Sequence, residues 1–151
     1  MLLQTASGDA FATGAMQYDY RPVSATETTN RIILLVEIEG ILTEAVVDTG
    51  APYVICAPQV ARLAGFDRTY ALEKIRMVVR GMQLEGSLTR LNIRLLATEG
   101  EDLNVDATVF IPDLEEYWGN FPSFIGLTGF LERLCFAVDP STDTFYFGSL
   151  S

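Results

Sequence analysis

An apolar run that stops at Asp48-Thr49-Gly50 is the feature that most constrains this chain. Residues 44–47 are predicted to end a β-strand, because they are rich in β-branched valine and the chain before them is largely apolar from Ile32 onward. The glycine permits a tight turn that a side chain would block, so the carboxylate is expected on a loop at the end of a buried strand. Asp, Thr and Gly are also ordinary turn residues, and the tripeptide alone does not distinguish a reactive site from a turn.

The absence of histidine narrows the chemistry that this chain can perform. Ser-His-Asp and Cys-His mechanisms need an imidazole, and the usual zinc sites include imidazole ligands. Carboxylate chemistry remains. We therefore predict no metal site and no cofactor.

Length and charge set further limits. The 151 residues suit one domain with a substantial core and are too few for two catalytic lobes. The net charge is −10, from 10 Lys and Arg against 20 Asp and Glu. Because phosphate contacts require clustered cations, we expect neither a nucleic-acid partner nor a membrane partner.

The cellular compartment is inferred from the cysteines and from the apolar segments. Cys56 and Cys135 lie far apart in apolar surroundings, outside any Cys-x-x-Cys pair, and are predicted to be buried free thiols. No signal peptide is indicated at the start of the chain, and no stretch reaches the roughly 18 apolar residues of a membrane span. These features favour the cytoplasm.

Short β-type runs at close spacing fill most of the chain. Two apolar runs joined at Glu39-Gly40 predict a hairpin, with the first run covered on both faces. Alternating apolar positions predict further strands, and a Pro at the start and a Gly at the end mark a short helix. The predicted strands cover residues 31–38, 41–47, 53–55, 75–80, 91–95, 105–111, 134–138 and 144–147; the predicted helices cover residues 58–65 and 127–133. The pattern indicates an all-β, barrel-like domain with one or two short helices.

Two segments leave alternatives open. Residues 1–30 are predicted to be an N-terminal leader or an extra edge segment before a single domain at 31–151; a leader is preferred over an edge strand or a peptide that the protein removes from itself. The loop at 112–122 is rich in aromatic residues, which either pack on the core, the preferred case, or face a partner.

A second motif supports a family resemblance. Residues 41–51 resemble the active-site strand and loop of the retropepsin-like, or retroviral-type, aspartic proteases, in which an apolar strand delivers Asp-Thr-Gly-Ala. Phe124-Ile125-Gly126 is similar to the second signature of that family, two apolar residues and a glycine followed by a short helix. The order and spacing of the two motifs agree with the family over about residues 31–148. The resemblance implies the retropepsin-like closed barrel, the acid protease fold.

The resemblance also implies a mechanism and a set of site residues. An aspartic protease needs two carboxylates about a water, and this chain offers one Asp-Thr-Gly, so the implied enzyme is a homodimer that hydrolyses polypeptide substrates with one catalytic Asp48 from each chain. Thr49 and Gly50 would support the catalytic pair, and Ala51 would lie at the floor of the cleft. The implied flap over the substrate comprises Gly81, Met82, Gln83, Leu84, Glu85 and Gly86, which could otherwise form an ordinary surface hairpin.

Two positions depart from the family pattern, and two other functions compete with proteolysis. Pro52 stands where viral members carry an acidic residue that grips the peptide, and Thr128 stands where many relatives have Asp or Asn. The first alternative is a catalytically weak binding or scaffold module that dimerises and holds extended peptides. The second is an unrelated β domain with an accidental match.

Overall fold

The computed structural model describes residues 2–116 and 118–150. Its strands, in chain order, are β1 (Leu3–Gln4), β2 (Ala10–Ala12), β3 (Gly14–Gln17), β4 (Asp19–Arg21), β5 (Arg31–Ile38), β6 (Ile41–Val47), β7 (Val54–Ile55), β8 (Glu73–Val79), β9 (Met82–Leu95), β10 (Glu99–Gly100), β11 (Leu103–Pro112), β12 (Ser123–Ile125), β13 (Leu134–Asp139) and β14 (Thr144–Ser149). One α-helix, α1 (Pro58–Leu63), and two 3₁₀ turns, Arg68–Tyr70 and Leu131–Arg133, complete the elements.

A closed ring of strands forms the body of the domain. Around the ring, β5 pairs with β6, β6 with β12, β12 with β7, β7 with β11 and β11 with β9. The long strand β9 then reaches β5, where Val36 lies opposite Leu95 and Ile38 opposite Ile93, and this pairing closes the ring. The predicted all-β closed barrel is therefore confirmed.

The main apolar core includes inward-facing side chains of the ring. Leu34, Ile93, Leu95 and Ile125 are all within 1% of complete burial. Each such side chain contributes about 1.5–3 kcal/mol relative to an exposed position. A second apolar cluster lies on another face and comprises Ile33, Val46, Ala51, Ile55, Ala57, Val79, Trp118 and Phe124.

The prediction that β5 is covered on both faces holds only near its start. Leu34 faces the main core and Ile33 faces the second apolar cluster, but the side chain of Leu35 is 47% exposed. Its partner strand β6 forms the predicted hairpin with β5, through a turn in which Glu39 and Gly40 both have positive φ.

Residues 3–21 contain strands β1 to β4 and are part of the fold, so they do not form the leader that was preferred. β3 pairs with β14 and β10, and β4 adds to the edge of the large sheet beside β5. The small residues of this segment allow close packing, since a Cβ on Gly14 would lie 2.2 Å from the carbonyl oxygen of Glu101 and 2.4 Å from the Phe147 ring. Gly14 therefore permits a close contact between strands that a side chain would block.

The β8–β9 hairpin is tighter than the sequence suggested. Its turn consists of Arg80 and Gly81, with φ values of 53° and 78°, which suit a two-residue hairpin turn. Residues 82–86 of the predicted flap are the first part of β9. Gly86 is paired with Ile75 in the β8–β9 ladder, and a Cβ at this position would lie 2.3 Å from the Phe110 ring.

Of the two predicted helices, the one at 58–65 is present and the one at 127–133 is not. α1 begins with Pro58 and is followed by Gly65 at a φ of 79°, as the sequence indicated. The helix expected over 127–133 shortens to the 3₁₀ turn Leu131–Arg133, because Gly129 adopts a φ of 80° and interrupts a continuous helix. In the described ranges no helix is long and apolar enough to cross a membrane.

The two cysteines are free thiols with different environments, and they are expected to react differently. Cys56 is fully buried, and burial raises the pKa of its thiol to about 12, whereas Cys135 is half-buried. Because the thiolate is the nucleophile, the raised pKa makes the reactive form of Cys56 scarce near neutral pH. We expect a thiol reagent to label Cys135 first in the native protein and Cys56 only on unfolding, as measured by mass spectrometry of the labelled peptides. Equal native rates would contradict the burial of Cys56.

Candidate active site

The ends of two parallel strands bring the two sequence motifs together. β6 and β12 run parallel with Val47 beside Ile125, so the residues that follow them are adjacent. The backbone N–H of Asp48 donates a hydrogen bond to the carbonyl of Ile125 at 2.9 Å. The Asp48 loop and the Phe124-Ile125-Gly126 motif therefore form one site.

The Asp48 loop holds its carboxylate from one side. The backbone N–H of Gly50 donates to Asp48 Oδ1 at 3.0 Å, and the N–H of Ala51 donates to the Asp48 carbonyl at 3.0 Å. Ala51 is buried, Thr49 and Gly50 are exposed, and the Asp48 side chain is 37% exposed. The carboxylate is thus fixed by its own loop and remains open to a substrate or a partner.

Gly126 makes the crossing of the two motifs possible. A Cβ at this position would lie 2.0 Å from the carbonyl oxygen of Tyr53 and 2.6 Å from that of Ala51. The next residue, Leu127, donates its backbone N–H to the Ala51 carbonyl at 2.9 Å. The chain after Asp48 therefore passes directly against Gly126, with no room for a side chain.

Gly126→Ala is expected to destabilise the protein by about 3 kcal/mol or more, because backbone atoms on both sides must move. Gly40→Ala is the matched control. It also replaces a glycine by alanine, at a φ of 82°, but nothing lies within 4 Å of the added Cβ. Its cost should be the conformational one alone, about 1–2 kcal/mol. Urea midpoints of the two variants test this, and equal losses would mean that the Gly126 contact is easily relieved.

A cleft of about 500 Å³ lies beside Asp48, and we call it the Asp48 cleft. This volume is within the range of ligand sites in proteins. Its lining residues are Glu27, Arg31, Asp48, Gly50, Ala51, Pro52, Ile55, Val78, Val79, Arg80, Phe121 and Phe124. The floor is apolar and aromatic, and charged groups of both signs lie around it.

The β8–β9 hairpin contributes to this cleft, through residues that sequence reasoning missed. Val78, Val79 and Arg80 line the Asp48 cleft, whereas the predicted flap residues 81–86 do not line it in the single chain. Leu84 packs against the second apolar cluster, and Met82 is 39% exposed. The sequence did contain a signal for the turn. Apolar residues alternate at 77, 79, 82 and 84, and the two residues between 79 and 82 interrupt the alternation where the chain turns. Contact of 81–86 with a substrate stays a prediction.

The aromatic loop at 112–122 packs against the core, as preferred, and also shapes the cleft. Trp118 is buried, meets Phe124 edge to face at 6.0 Å, and donates its Nε1–H to the Phe121 carbonyl at 2.8 Å. Phe121 stacks on Phe124 with ring centroids 5.9 Å apart. Tyr117, in the same loop, lies outside the described residues.

Arg31 links two carboxylates of the Asp48 cleft. Its Nη2 lies 3.8 Å from Asp48 Oδ2, and its Nη1 lies 4.0 Å from Glu27 Oε1. The guanidinium carbon is also 5.9 Å from the centroid of the Phe124 ring. Sequence reasoning did not find this bridge, because Arg31 appeared only as the first residue of a strand and its partner Asp48 lies at the end of the next one.

The arrangement within one chain does not make a pair of carboxylates that share a proton. Glu27 and Asp48 are the carboxylates that line the cleft in the described ranges, and each meets a different nitrogen of the Arg31 guanidinium. Within one chain, Asp48 therefore has a guanidinium as its ionic partner rather than a second carboxylate.

The solved structures that are similar to this chain include two of the retropepsin type, while no protein-family model and no curated protein matches it. The crystal structure of a retropepsin-like aspartic protease from Rickettsia conorii has a TM-score of 0.56 and 18% sequence identity, over 89% of each chain. The retroviral protease-like domain of Ddi1 from Leishmania major has a TM-score of 0.51 and 19% identity, over 80% of this chain and 94% of that chain. The fold predicted from the motifs is therefore confirmed as retropepsin-like.

Proposed function

We propose that this protein is an aspartic endopeptidase, a hydrolase that cleaves peptide bonds with an Asp48 pair at a homodimer interface. The observation that carries the proposal is the position of Asp48 at the joined ends of β6 and β12, where its carboxylate is held by Gly50 and faces a cleft. The retropepsin-like fold supports the same conclusion, since the solved structures that share it include a retropepsin-like aspartic protease.

The proposed reaction uses two carboxylates and one water. Two carboxylates about 3 Å apart cannot both ionise cheaply, so the pair shares one proton, as is general for aspartic proteases. One Asp48 takes a proton from the water as it attacks the peptide carbonyl, and the other protonates the departing amine. The proton belongs to the pair rather than to either chain.

A second copy of the chain is the proposed source of the second carboxylate. Thr49 and Gly50 are exposed beside Asp48, so a two-fold axis could bring two such loops together. Glu27 is not the proposed second group, because both Glu27 and Asp48 contact the Arg31 guanidinium in the single chain. In this proposal Thr49 and Gly50 support the pair across the axis.

The proposed substrate is an extended polypeptide lying in the Asp48 cleft beneath the β8–β9 hairpin. Extended peptides bind such clefts by main-chain hydrogen bonds, with side chains in pockets on alternate sides. Ala51 and the aromatic floor offer apolar contact, whereas Pro52 offers neither an N–H nor a polar side chain. Binding energy is therefore expected mainly from the hairpin and the floor.

One observation favours the alternative of a weakly active module that dimerises and binds peptides. Arg31 Nη2 lies 3.8 Å from Asp48 Oδ2, so Asp48 already has an ionic partner in its own chain, whereas the proposed mechanism needs a second carboxylate beside it. Hydrolysis of a peptide library, followed by mass spectrometry for new termini, tests the two candidates. Cleavage that depends on Asp48 supports the endopeptidase, and peptide binding without cleavage supports the binding module.

A further inference from the structure

Two arginines, Arg31 and Arg80, line the Asp48 cleft together with the carboxylate of Glu27. Arg31 lies at the start of β5, and its Nη1 is 4.0 Å from Glu27 Oε1. Arg80 lies at the tip of the β8–β9 hairpin and lines the same cleft as Glu27. Burial lowers the pKa of Arg80, and the negative charge of Glu27 acts in the opposite direction. Glu27 thus contacts Arg31 and lines the same cleft as Arg80.

We propose that Arg31 and Arg80 form a subsite for an acidic side chain of the peptide, and that Glu27 occupies this subsite in the free protein. The inference rests on the proposed function, because it names the kind of peptide that the Asp48 cleft accepts. It adds a specificity to that function, namely Asp or Glu in the peptide near the bond presented to Asp48.

The geometry of Arg80 suits recognition of a carboxylate. Its guanidinium lies over the Phe121 ring, with the central carbon 3.2 Å from the ring centroid. Stacking on an aromatic face fixes the plane of the guanidinium and leaves its N–H groups free at the edge. In the described ranges Arg80 forms no salt bridge, so these donors remain available to a ligand.

Glu27 has the features of a replaceable occupant. Its Oε2 is buried without a hydrogen-bond partner among the described residues, and its Oε1 makes one long contact, at 4.0 Å, with Arg31. A buried carboxylate oxygen without a hydrogen-bond donor destabilises the free protein. The contact of Oε1 with Arg31, at 4.0 Å, is weaker than a direct hydrogen-bonded ion pair. Glu27 also lies outside the strands, in the segment between β4 and β5, which can move without breaking a strand ladder.

The expected specificity follows from the strength of charge-assisted hydrogen bonds. A carboxylate that makes direct contact with a pre-oriented guanidinium should bind about ten times more tightly than the uncharged amide of the same shape. The effect should appear as a ratio between matched peptides, one with Glu and one with Gln at the same position. Other contacts of the peptide are the same in both and cancel.

Binding to the Asp48→Asn protein tests the subsite without requiring cleavage. A random dodecapeptide library is passed over the immobilised protein, and the bound peptides are sequenced by mass spectrometry; enrichment of Asp and Glu is expected. Matched Glu and Gln versions of the selected peptides are then measured by fluorescence anisotropy. We expect a Glu to Gln affinity ratio of about ten.

Three further variants and one control, all in the Asp48→Asn background, test whether the affinity ratio depends on Arg80 and Glu27. Arg80→Gln should reduce the ratio to about one, and Arg80→Lys should restore part of it because the charge returns without the planar stack. Glu27→Gln should raise the ratio, since the resident carboxylate no longer competes. Arg76→Gln is the control: it removes one positive charge from the same hairpin, but Arg76 pairs with Glu85 and lies outside the Asp48 cleft.

The outcomes separate this inference from the proposed function. A ratio near one in the parent protein, or an equal loss of both affinities in Arg80→Gln, would overturn the subsite and leave Arg80 as a support for the hairpin. Cleavage by the wild-type protein with no acidic preference would reject the subsite but keep the endopeptidase. Acidic preference in binding with no cleavage would keep the subsite and reject the endopeptidase.

Discussion

Asp48→Asn is expected to lower the rate of peptide hydrolysis by at least about 100-fold, the lower end of what a positioned acid or base contributes. The amide cannot take a proton from water at neutral or mildly acidic pH. It fills the same space, and its Oδ1 can still accept the N–H of Gly50, which donates at 3.0 Å in the native loop. The loss should therefore appear in the catalytic rate, with the fold unchanged.

A second carboxylate variant controls for the loss of one negative charge. Asp106 pairs with Arg90 at 2.9 Å on the surface, and both side chains are more than half exposed. Exposed pairs of this kind contribute about 0–1 kcal/mol, so Asp106→Asn should keep both stability and activity. Initial rates on a peptide substrate and thermal unfolding are measured for both variants. Full activity in a clean Asp48→Asn preparation would reject the endopeptidase.

The parts of the fold that the sequence predicted well are those set by neighbouring residues. The β5–β6 hairpin follows from two apolar runs and a turn of Glu39 and Gly40, and its register joins residues close in sequence. The Asp48 loop and Gly126 were also found, because each motif carries its own backbone requirement. A glycine that excludes a side chain and an aspartate that caps a turn are visible without knowledge of the rest of the chain.

The parts that the sequence did not predict depend on distant partners. β3 has no strong pattern of its own, and it is a strand because β14 and β10 lie on either side of it. Gly14, Gly86 and Gly129 have different roles, a close strand contact, a close aromatic contact and a left-handed turn, which composition alone does not distinguish. The bridge from Asp48 through Arg31 to Glu27 likewise exists only once β4, β5 and β6 are assembled.

Mixing wild-type protein with Asp48→Asn protein is expected to inhibit it, because a dimer with one asparagine lacks half of the pair. If subunits exchange freely, an approximately ninefold excess of the variant leaves about a tenth of the wild-type subunits in fully wild-type dimers, and activity should fall to about a tenth. The same excess of Asp106→Asn is the matched control, and it should add activity in proportion to its amount. Specific activity of the wild type alone should also fall on dilution, through the range in which the dimer dissociates.

A monomeric enzyme would give a different pattern and would change the assignment of the second group. Activity would then stay proportional to protein at every concentration, the variant would not inhibit, and sedimentation would show a single chain. The second group would have to come from the same Asp48 cleft, where Glu27 is the other carboxylate but is separated from Asp48 by the guanidinium of Arg31. Arg31 would have to release at least one of them before the two carboxylates could hold one water. Since both carboxylates contact the Arg31 guanidinium in the single chain, the homodimer is the simpler source of a second carboxylate, and the mixing experiment decides between them.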